Sequence, residues 1–438
     1  VSELPQLSLF PTTAQVKDNH LFIGGCDTTE LAAQHGTPLY IFDEVTLRQQ
    51  CASFRQEFGQ RHPDCLVIYA SKAFLNRALA SILHAEGLGL DVVSAGEMAI
   101  ARSVNFPPSR VYFHGNNKTA QELQMALEWG IGRVVVDNFY ELTLLQKLAQ
   151  KTGQRQDILL RLCPGVDPHT HRFTTTGVAD SKFGFSLPDG QAEKAVAQAL
   201  APSQLNLVGL HCHLGSPIFE TEPYEQAIAL LLEFAAGMKQ RHGFTMKELS
   251  PGGGFAIQYL VEHPAPPIAD YAQAIVNALH QGCQRLGLEL PRLVIEPGRS
   301  IVGRAGVALY RTGASKEIPG VRKYVSLDGG MADNIRPALY EAKYEAVLAN
   351  RVSGENREVV SLAGKYCESG DVLIKDIELP RLSPGDLIAV PASGAYCLAM
   401  ASNYNCALKP AIVLVREGKA RLIRRRESFE DLMKNDVV

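Results

Sequence analysis

The sequence predicts an α/β chain in which a (β/α)8 barrel precedes a compact β-domain. Three observations carry this. From Leu39 onward, short apolar runs alternate with polar loops and amphipathic helical stretches, and eight such runs precede Ser300. Beyond Ser300 the texture changes to short strand signals separated by Gly and Pro turns. The length, 438 residues, exceeds what one ordinary core sustains and suits two domains, one of barrel size. The expected division is residues 1–35 as a segment joining the β-domain, 36–299 as the barrel and 300–438 as the β-domain.

In order, His20-Leu21-Phe22-Ile23 reads as a strand and Gly24-Gly25 as its turn. Thr28 to His35 reads as a short helix with Thr28 or Thr29 as cap and Gly36 as terminator. The eight barrel runs are Leu66–Ala70, Leu90–Val93, Val111–Phe113, Arg133–Val136, Ile158–Leu162, Leu207–Leu210, Glu248–Leu249 and Leu293–Ile295. The seventh is short, and its place is marked mainly by the Pro251-Gly252-Gly253-Gly254 that follows. The β-domain strands are expected at Val307–Thr312, Lys323–Leu327, Glu358–Leu362, Asp371–Ile374, Asp386–Val390, Ala411–Arg416 and Lys419–Ile423.

Composition narrows the function classes. Apolar residues make up 46% and charged ones 20%, ordinary for a globular chain, and a net charge of −3 argues against nucleic-acid or membrane partners. The one basic run, Arg424-Arg425-Arg426, is followed at once by Glu427, Glu430 and Asp431 and is expected to be a solvated face. Nine cysteines at irregular spacing, without a C-x-x-C pair, argue against a disulfide framework. The N-terminal residues lack the basic and apolar regions of a leader, and the longest apolar run, Ala227–Ala236, is interrupted by Glu233. The expected location is cytoplasmic.

Chemistry collects at the strand ends. Val67-Ile68-Tyr69-Ala70-Ser71-Lys72 ends a buried run on a lysine, where barrel loops build active sites and an amine can serve as a nucleophile. Run three ends at His114-Gly115-Asn116-Asn117-Lys118 and run six at His211-Cys212-His213-Leu214-Gly215-Ser216. Run seven leads into the triple glycine and run eight into Glu296-Pro297-Gly298-Arg299. Pyridoxal 5'-phosphate (PLP) has a use for each part. The Lys72 amine forms a Schiff base with its aldehyde, and Glu296 keeps its pyridine nitrogen protonated. Glycines let backbone N–H groups cradle its phosphate, Ser216 adds a hydroxyl, and His213 stacks on the ring. His211-x-His213 also has the spacing of a metal pair, but without a third ligand motif nearby no metal is expected. Cys212 is expected in barrel packing, and His114 and Lys118 in supporting or surface positions. In the β-domain, Cys367-Glu368-Ser369-Gly370-Asp371 sets a thiol beside a carboxylate between glycine-rich turns, which suggests that residues outside the barrel complete the site.

Taken together, the motifs resemble those of diaminopimelate decarboxylase, a PLP enzyme of the alanine-racemase-like, fold type III group. The segments that carry the likeness are Tyr69–Ala73, His114–Lys118, Asp180-Ser181-Lys182-Phe183-Gly184, His211–Ser216, the triple glycine, Glu296–Arg299, Asp328-Gly329-Gly330-Met331, Cys367–Asp371 and Gly394-Ala395-Tyr396. The resemblance implies that Lys72 holds PLP, with His213 on its ring and Glu296 at its pyridine nitrogen. It places Ser216, Gly253, Gly254, Gly298, Arg299 and Tyr396 around the phosphate or nearby substrate groups. It gives Arg299, Arg336, Tyr340 and Tyr396 to the substrate, with Cys367 as proton donor and Glu368 on the distal ammonium, the last two from the second subunit of a homodimer. The implied reaction converts meso-2,6-diaminopimelate to L-lysine and carbon dioxide, the last step of lysine biosynthesis.

Ser71, Pro217, Phe255-Ala256 and Cys397 depart from the common pattern without removing a catalytic group. The nearest alternative is a related decarboxylase acting on D-ornithine, D-lysine or carboxynorspermidine. An amino-acid racemase shares the barrel, but Cys367-Glu368 favours decarboxylation. A regulatory homologue without activity is opposed by the presence of Lys72, Glu296, Cys367 and Tyr396 together.

Overall fold

The computed structural model describes residues 4–167, 181–201, 203–354 and 356–437. Asp180 of the Asp180–Gly184 motif lies outside the described residues. Contacts divide the chain into two compact units, one of Cys51–Ala256 with Pro266–Gly298, the other of the chain up to Gln50, Ile257–Ala265 and the chain from Arg299.

The first unit is the barrel. Its strands are Cys65–Ala70, Gly89–Val92, Val111–Phe113, Arg133–Val136, Gln156–Cys163, Leu205–His211, Glu248–Gly252 and Arg292–Ile295. Each pairs in parallel with the next, and Leu293–Ile295 closes the ring on Cys65–Val67. All eight expected runs are strands. Alternate side chains turn inward, and Ile68, Tyr112, Val135, Leu159, Val208 and Val294 form a buried cluster drawn from six of the strands. Several helices start a few residues beyond a strand end on polar caps. Asn76 accepts from the Leu79 N–H, Ser94 from Glu97, and Thr119 forms a capping box with Glu122.

The second unit is built on one large sheet. Its main path runs Val372–Pro380, Arg357–Ala363, Arg322–Leu327, Gly306–Ile318, Leu39–Asp43, Ala411–Arg416 and Lys419–Arg424. Leu387–Val390 pairs with Gly306–Ile318 and with the short strand Val347–Leu348. The N-terminal strands Gln15–Lys17, His20–Ile23 and Cys26–Asp27 form a small sheet whose Leu21, Ile23 and Cys26 share a buried cluster with Val307, Leu309, Ala389 and Val413.

Three local expectations are corrected. Leu39–Asp43 does not open the barrel: it is buried along its whole length and pairs with Gly306–Leu309 on one side and Ala411–Val415 on the other. The contacts therefore divide the chain after Gln50, inside the helix Glu44–Arg61, rather than at residue 36. The helix Thr28–His35 is capped by Asp27, whose carboxylate accepts from the Thr29 N–H, while the Thr28 hydroxyl donates inward to the Leu21 carbonyl. In the basic run only Arg425 is exposed. The Arg426 guanidinium donates to the Pro38 carbonyl at 2.7 Å and ties the chain's end to the strand at residue 39.

Candidate active site

Lys72 sits in a single 3-10 turn, Ser71–Ala73, directly after the first barrel strand, and its side chain is exposed. The turn is held from both sides. The buried Tyr69 hydroxyl reaches round to donate to the Phe74 carbonyl at 2.7 Å, and the Ala70 N–H donates to the Pro297 carbonyl at 3.1 Å. A Cβ at Gly298 would stand 3.0 Å from that of Ala70, so the last and first strand tips meet only with glycine there.

Glu296 is 5% exposed and accepts from Ser250 Oγ at 2.9 Å and from His211 Nε2 at 3.1 Å. His114 Nε2 lies between two carboxylates, 3.7 Å from Glu296 Oε1 and 3.8 Å from Asp91 Oδ1. Burial disfavours charge on both acids, and they titrate oppositely. Burial and the neighbouring Glu296 push Asp91 well above the carboxylate range. For Glu296, burial is outweighed chiefly by His211, through its field and its hydrogen bond, which hold the carboxylate below that range. The negative charge of the pair therefore rests on Glu296. His114 itself is pushed well below its usual value, chiefly by burial.

The triple glycine is forced by crowding. A Cβ at Gly252 would stand 2.6 Å from the Cys212 carbonyl oxygen, and one at Gly253 would stand 2.0 Å from that of Glu296. Gly252 and Gly254 also adopt φ of 83° and 105°. The Gly253 N–H donates to His213 Nδ1 at 3.2 Å, so that nitrogen carries no proton and the imidazole is neutral. Burial and the positive charge of Lys72 push its pKa well below the usual value. The segment after Ser216 is stitched to the same turn, the Ile218 N–H donating to the Gly254 carbonyl at 2.8 Å. Ser216 is half-buried. A lysine at a strand tip, an ionised buried carboxylate and a turn free of side chains match what PLP needs. The donor set fits.

His211 and His213 are divided between Glu296 and Gly253 and do not act as a pair. Among the described residues, the set that could hold an ion is His114, His211 and Glu296, whose donor atoms lie within 4.8 Å of one another. In the structure His211 is spent on its hydrogen bond to Glu296. Lys118 is not at the surface: at 2% exposure it donates to the Gly115 and Val135 carbonyls and to Glu141, each at 2.8 Å. Cys212 is fully buried in packing, and burial pushes its thiol up to about 12.

In the second unit Arg299 donates to the Tyr259 hydroxyl at 2.8 Å and stacks 4.8 Å from the Tyr396 ring centroid. Arg336 is 5% exposed, donates to the Tyr344 hydroxyl and lies 4.6 Å over the Tyr259 ring. Cys397 is buried beside Tyr344, and burial pushes its thiol up to about 11. The Tyr340 hydroxyl donates to the Met400 sulfur at 4.0 Å. Cys367 and Glu368 are exposed, in a loop pinned where the Cys367 N–H donates to Asn405 Oδ1 at 3.0 Å. Asp371 serves the backbone, accepting from the N–H groups of Met331 at 2.7 Å and Tyr366 at 3.0 Å.

Residues 44–303 match the family described as pyridoxal-dependent decarboxylase, pyridoxal binding domain. Diaminopimelate decarboxylase of Bacillus subtilis (strain 168) is 48% identical over 429 residues, spanning 98% of each chain. The chain belongs to the diaminopimelate decarboxylase family. The family's Synechocystis member is 44% identical across 100% of this chain and 94% of its own. Among solved structures, diaminopimelate decarboxylase of M. jannaschii in complex with L-lysine superposes with a TM-score of 0.92 at 37% identity, covering 98% of each chain. The Helicobacter pylori enzyme with L-lysine gives 0.86 at 32% identity, covering 93% of this chain and 98% of its own.

Two departures from the diaminopimelate decarboxylase pattern have a structural account. Phe255 stacks on Tyr224, with centroids 5.7 Å apart, and meets Tyr271 edge-on, so it builds the floor beneath the glycine turn. Cys397 lies against Tyr344 and the Ala395 carbonyl, where it fills core space. Several residues of the two units escaped the sequence reading: Asp91, Arg161 and Ser250 in the barrel, Tyr259 and Tyr344 in the other. The first two carried a signal, a charge set inside an apolar strand run. Arg161 is 8% exposed and stacks 4.3 Å over the Phe183 ring.

Proposed function

We propose that this chain decarboxylates meso-2,6-diaminopimelate to L-lysine and carbon dioxide with PLP as cofactor, as a cytoplasmic homodimer with shared active sites. The observation that carries this reading is the pair of buried arginines, Arg299 and Arg336, set among tyrosines in a chain of this family. A substrate with a distal carboxylate needs such a pair, since guanidinium groups recognise carboxylates with geometric selectivity. A decarboxylase for lysine or ornithine has no such group to bind.

When bound, PLP supplies an electron sink for the pair released as the bond to the departing carboxylate breaks. Lys72 holds the cofactor through its amine. The ionised Glu296 retains the proton on the pyridine nitrogen, and His211 and Ser250 keep its carboxylate oriented. The neutral His213 offers a flat face to the ring. Ser216, Gly253, Gly254, Gly298, Arg299 and Tyr396 serve the phosphate and neighbouring substrate groups. Arg299, Arg336, Tyr340 and Tyr396 orient the substrate, the first three at its distal carboxylate. From the second subunit, Glu368 takes the distal ammonium and the Cys367 thiol delivers a proton to Cα.

The test is release of carbon dioxide and L-lysine from meso-diaminopimelate by the purified holoenzyme. No release, together with turnover of D-lysine, D-ornithine or carboxynorspermidine, would replace this reading with that of a related decarboxylase.

A further inference from the structure

Arg299 and Arg336 share one aromatic partner. The Tyr259 hydroxyl accepts from Arg299 Nη1 at 2.8 Å, and the face of the same ring lies 4.6 Å from the Arg336 guanidinium carbon. Tyr344 braces this arrangement. Its hydroxyl accepts from Arg336 Nη1, and its ring meets that of Tyr259 edge-on, with centroids 5.5 Å apart at 89°. Tyr259 comes from Ile257–Ala265, a short segment of the second unit between two stretches of barrel sequence. It is half-buried, unlike the core tyrosines Tyr40 and Tyr310, which are fully buried.

Two guanidinium groups at one ring repel each other, and holding them there needs a group that attracts both. Tyr259 does this in two ways, through its oxygen lone pair toward Arg299 and its π-face toward Arg336. Its hydroxyl accepts from one arginine, so its own proton is left to donate. A phenol polarised by a cationic donor is a stronger donor in turn. Arg336 Nε is buried without a hydrogen-bond partner among the described residues, so the guanidinium has donor capacity left for a ligand.

We propose that Tyr259 is a specificity-determining positioning residue. It holds Arg299 and Arg336 as one clamp for the carboxylate at the non-reacting end of the substrate, and its phenolic proton is a third donor to that carboxylate. This rests on the reading that the substrate carries a distal carboxylate.

Tyr259→Phe tests it, because the variant keeps the ring beneath Arg336 and deletes only the hydroxyl. The holoenzymes are compared for KM and kcat on meso-diaminopimelate and for inhibition by D-lysine, whose single carboxylate sits at the reacting end, so that the distal one is absent. Loss of a charged hydrogen bond should raise KM about ten- to hundredfold. The fall in kcat should be much smaller, and the D-lysine inhibition constant should stay within about twofold. Equal weakening of both ligands, or no change in either, overturns the proposal. If wild type releases no carbon dioxide from diaminopimelate, the substrate reading fails instead. The clamp is then judged with pimelate, a seven-carbon dicarboxylate without amines, by thermal shift. Protection of wild type but not of Tyr259→Phe upholds the clamp, and equal or absent protection overturns it.

Discussion

Replacing Lys118 by methionine isolates a buried charge that helps fix the loop carrying His114. The ammonium spends all three protons at 2.8 Å, on the Gly115 and Val135 carbonyls and on Glu141 Oε1. Both side chains are 1% exposed, and the other Glu141 oxygen accepts from the Asp137 N–H at 3.2 Å. Burial pushes the Lys118 pKa down and that of Glu141 up. Each group is therefore charged only at a cost that its partner offsets. Lys118→Met leaves Glu141 buried without its counter-charge, which costs about 3–5 kcal/mol. With a urea dependence of about 3 kcal/mol per molar, the unfolding midpoint falls by about 1–2 M. Equilibrium urea unfolding followed by circular dichroism measures this. Glu141→Gln added to Lys118→Met removes the stranded charge while keeping an acceptor for Asp137, and it should recover at least half of the loss. A single variant that loses less than about 1 kcal/mol would refute the reasoning, since that is the range of an exposed pair. So would a double variant no more stable than the single.

Three further outcomes are expected. Borohydride reduction of the holoenzyme should attach the cofactor to the peptide containing Lys72, and peptide mapping to another lysine would remove that assignment. Lys72→Ala and Cys367→Ala homodimers should each be inactive. Mixed equally with subunit exchange, they should recover about a quarter of wild-type activity, because half the dimers then hold one intact site; no recovery despite proven exchange means both residues serve the same chain's site. The third outcome concerns pH. Burial holds His114 and His213 neutral in the fold, whereas the unfolded chain takes up protons below about pH 6.5. The stability that these two histidines contribute to the cofactor-free protein is therefore complete above that pH and is lost as pH drops toward the folded pKa values, with His114 alone contributing a slope of up to about 1.4 kcal/mol per pH unit. Buried acids raised in the fold, such as Asp91, act in the opposite sense. Glu296, held low in the fold, adds its own loss only below the ordinary carboxylate range. The stability of wild type relative to His114→Asn should therefore fall between about pH 7 and 5, and a difference that does not change with pH contradicts this.

Local pattern was enough wherever one short stretch decides its own conformation. Val111–Phe113, Arg133–Val136, Ala411–Arg416 and the helix Thr28–His35 have the bounds the sequence suggests, because apolar period and turn residues act over a few positions. Lys72 at its strand tip was legible for the same reason. The cap at Asp27 was missed by one residue, since Asp, Thr and Thr in succession can each cap a helix.

What only the tertiary structure decided is which distant residues touch. Leu39–Asp43 reads as an apolar strand in either unit, and its place follows from pairing with strands beginning at Gly306 and Ala411. Asp91, His114, His211 and Glu296 sit on four strands or their tips, and their shared charge exists only once the ring has closed. Tyr259 reads alone as an ordinary half-polar residue, and its meaning comes from Arg299 and Arg336, 40 and 77 positions onward. Periodicity records how a segment divides its faces between core and water. The energy of a buried charge depends instead on the few groups within reach of it, and folding alone selects those.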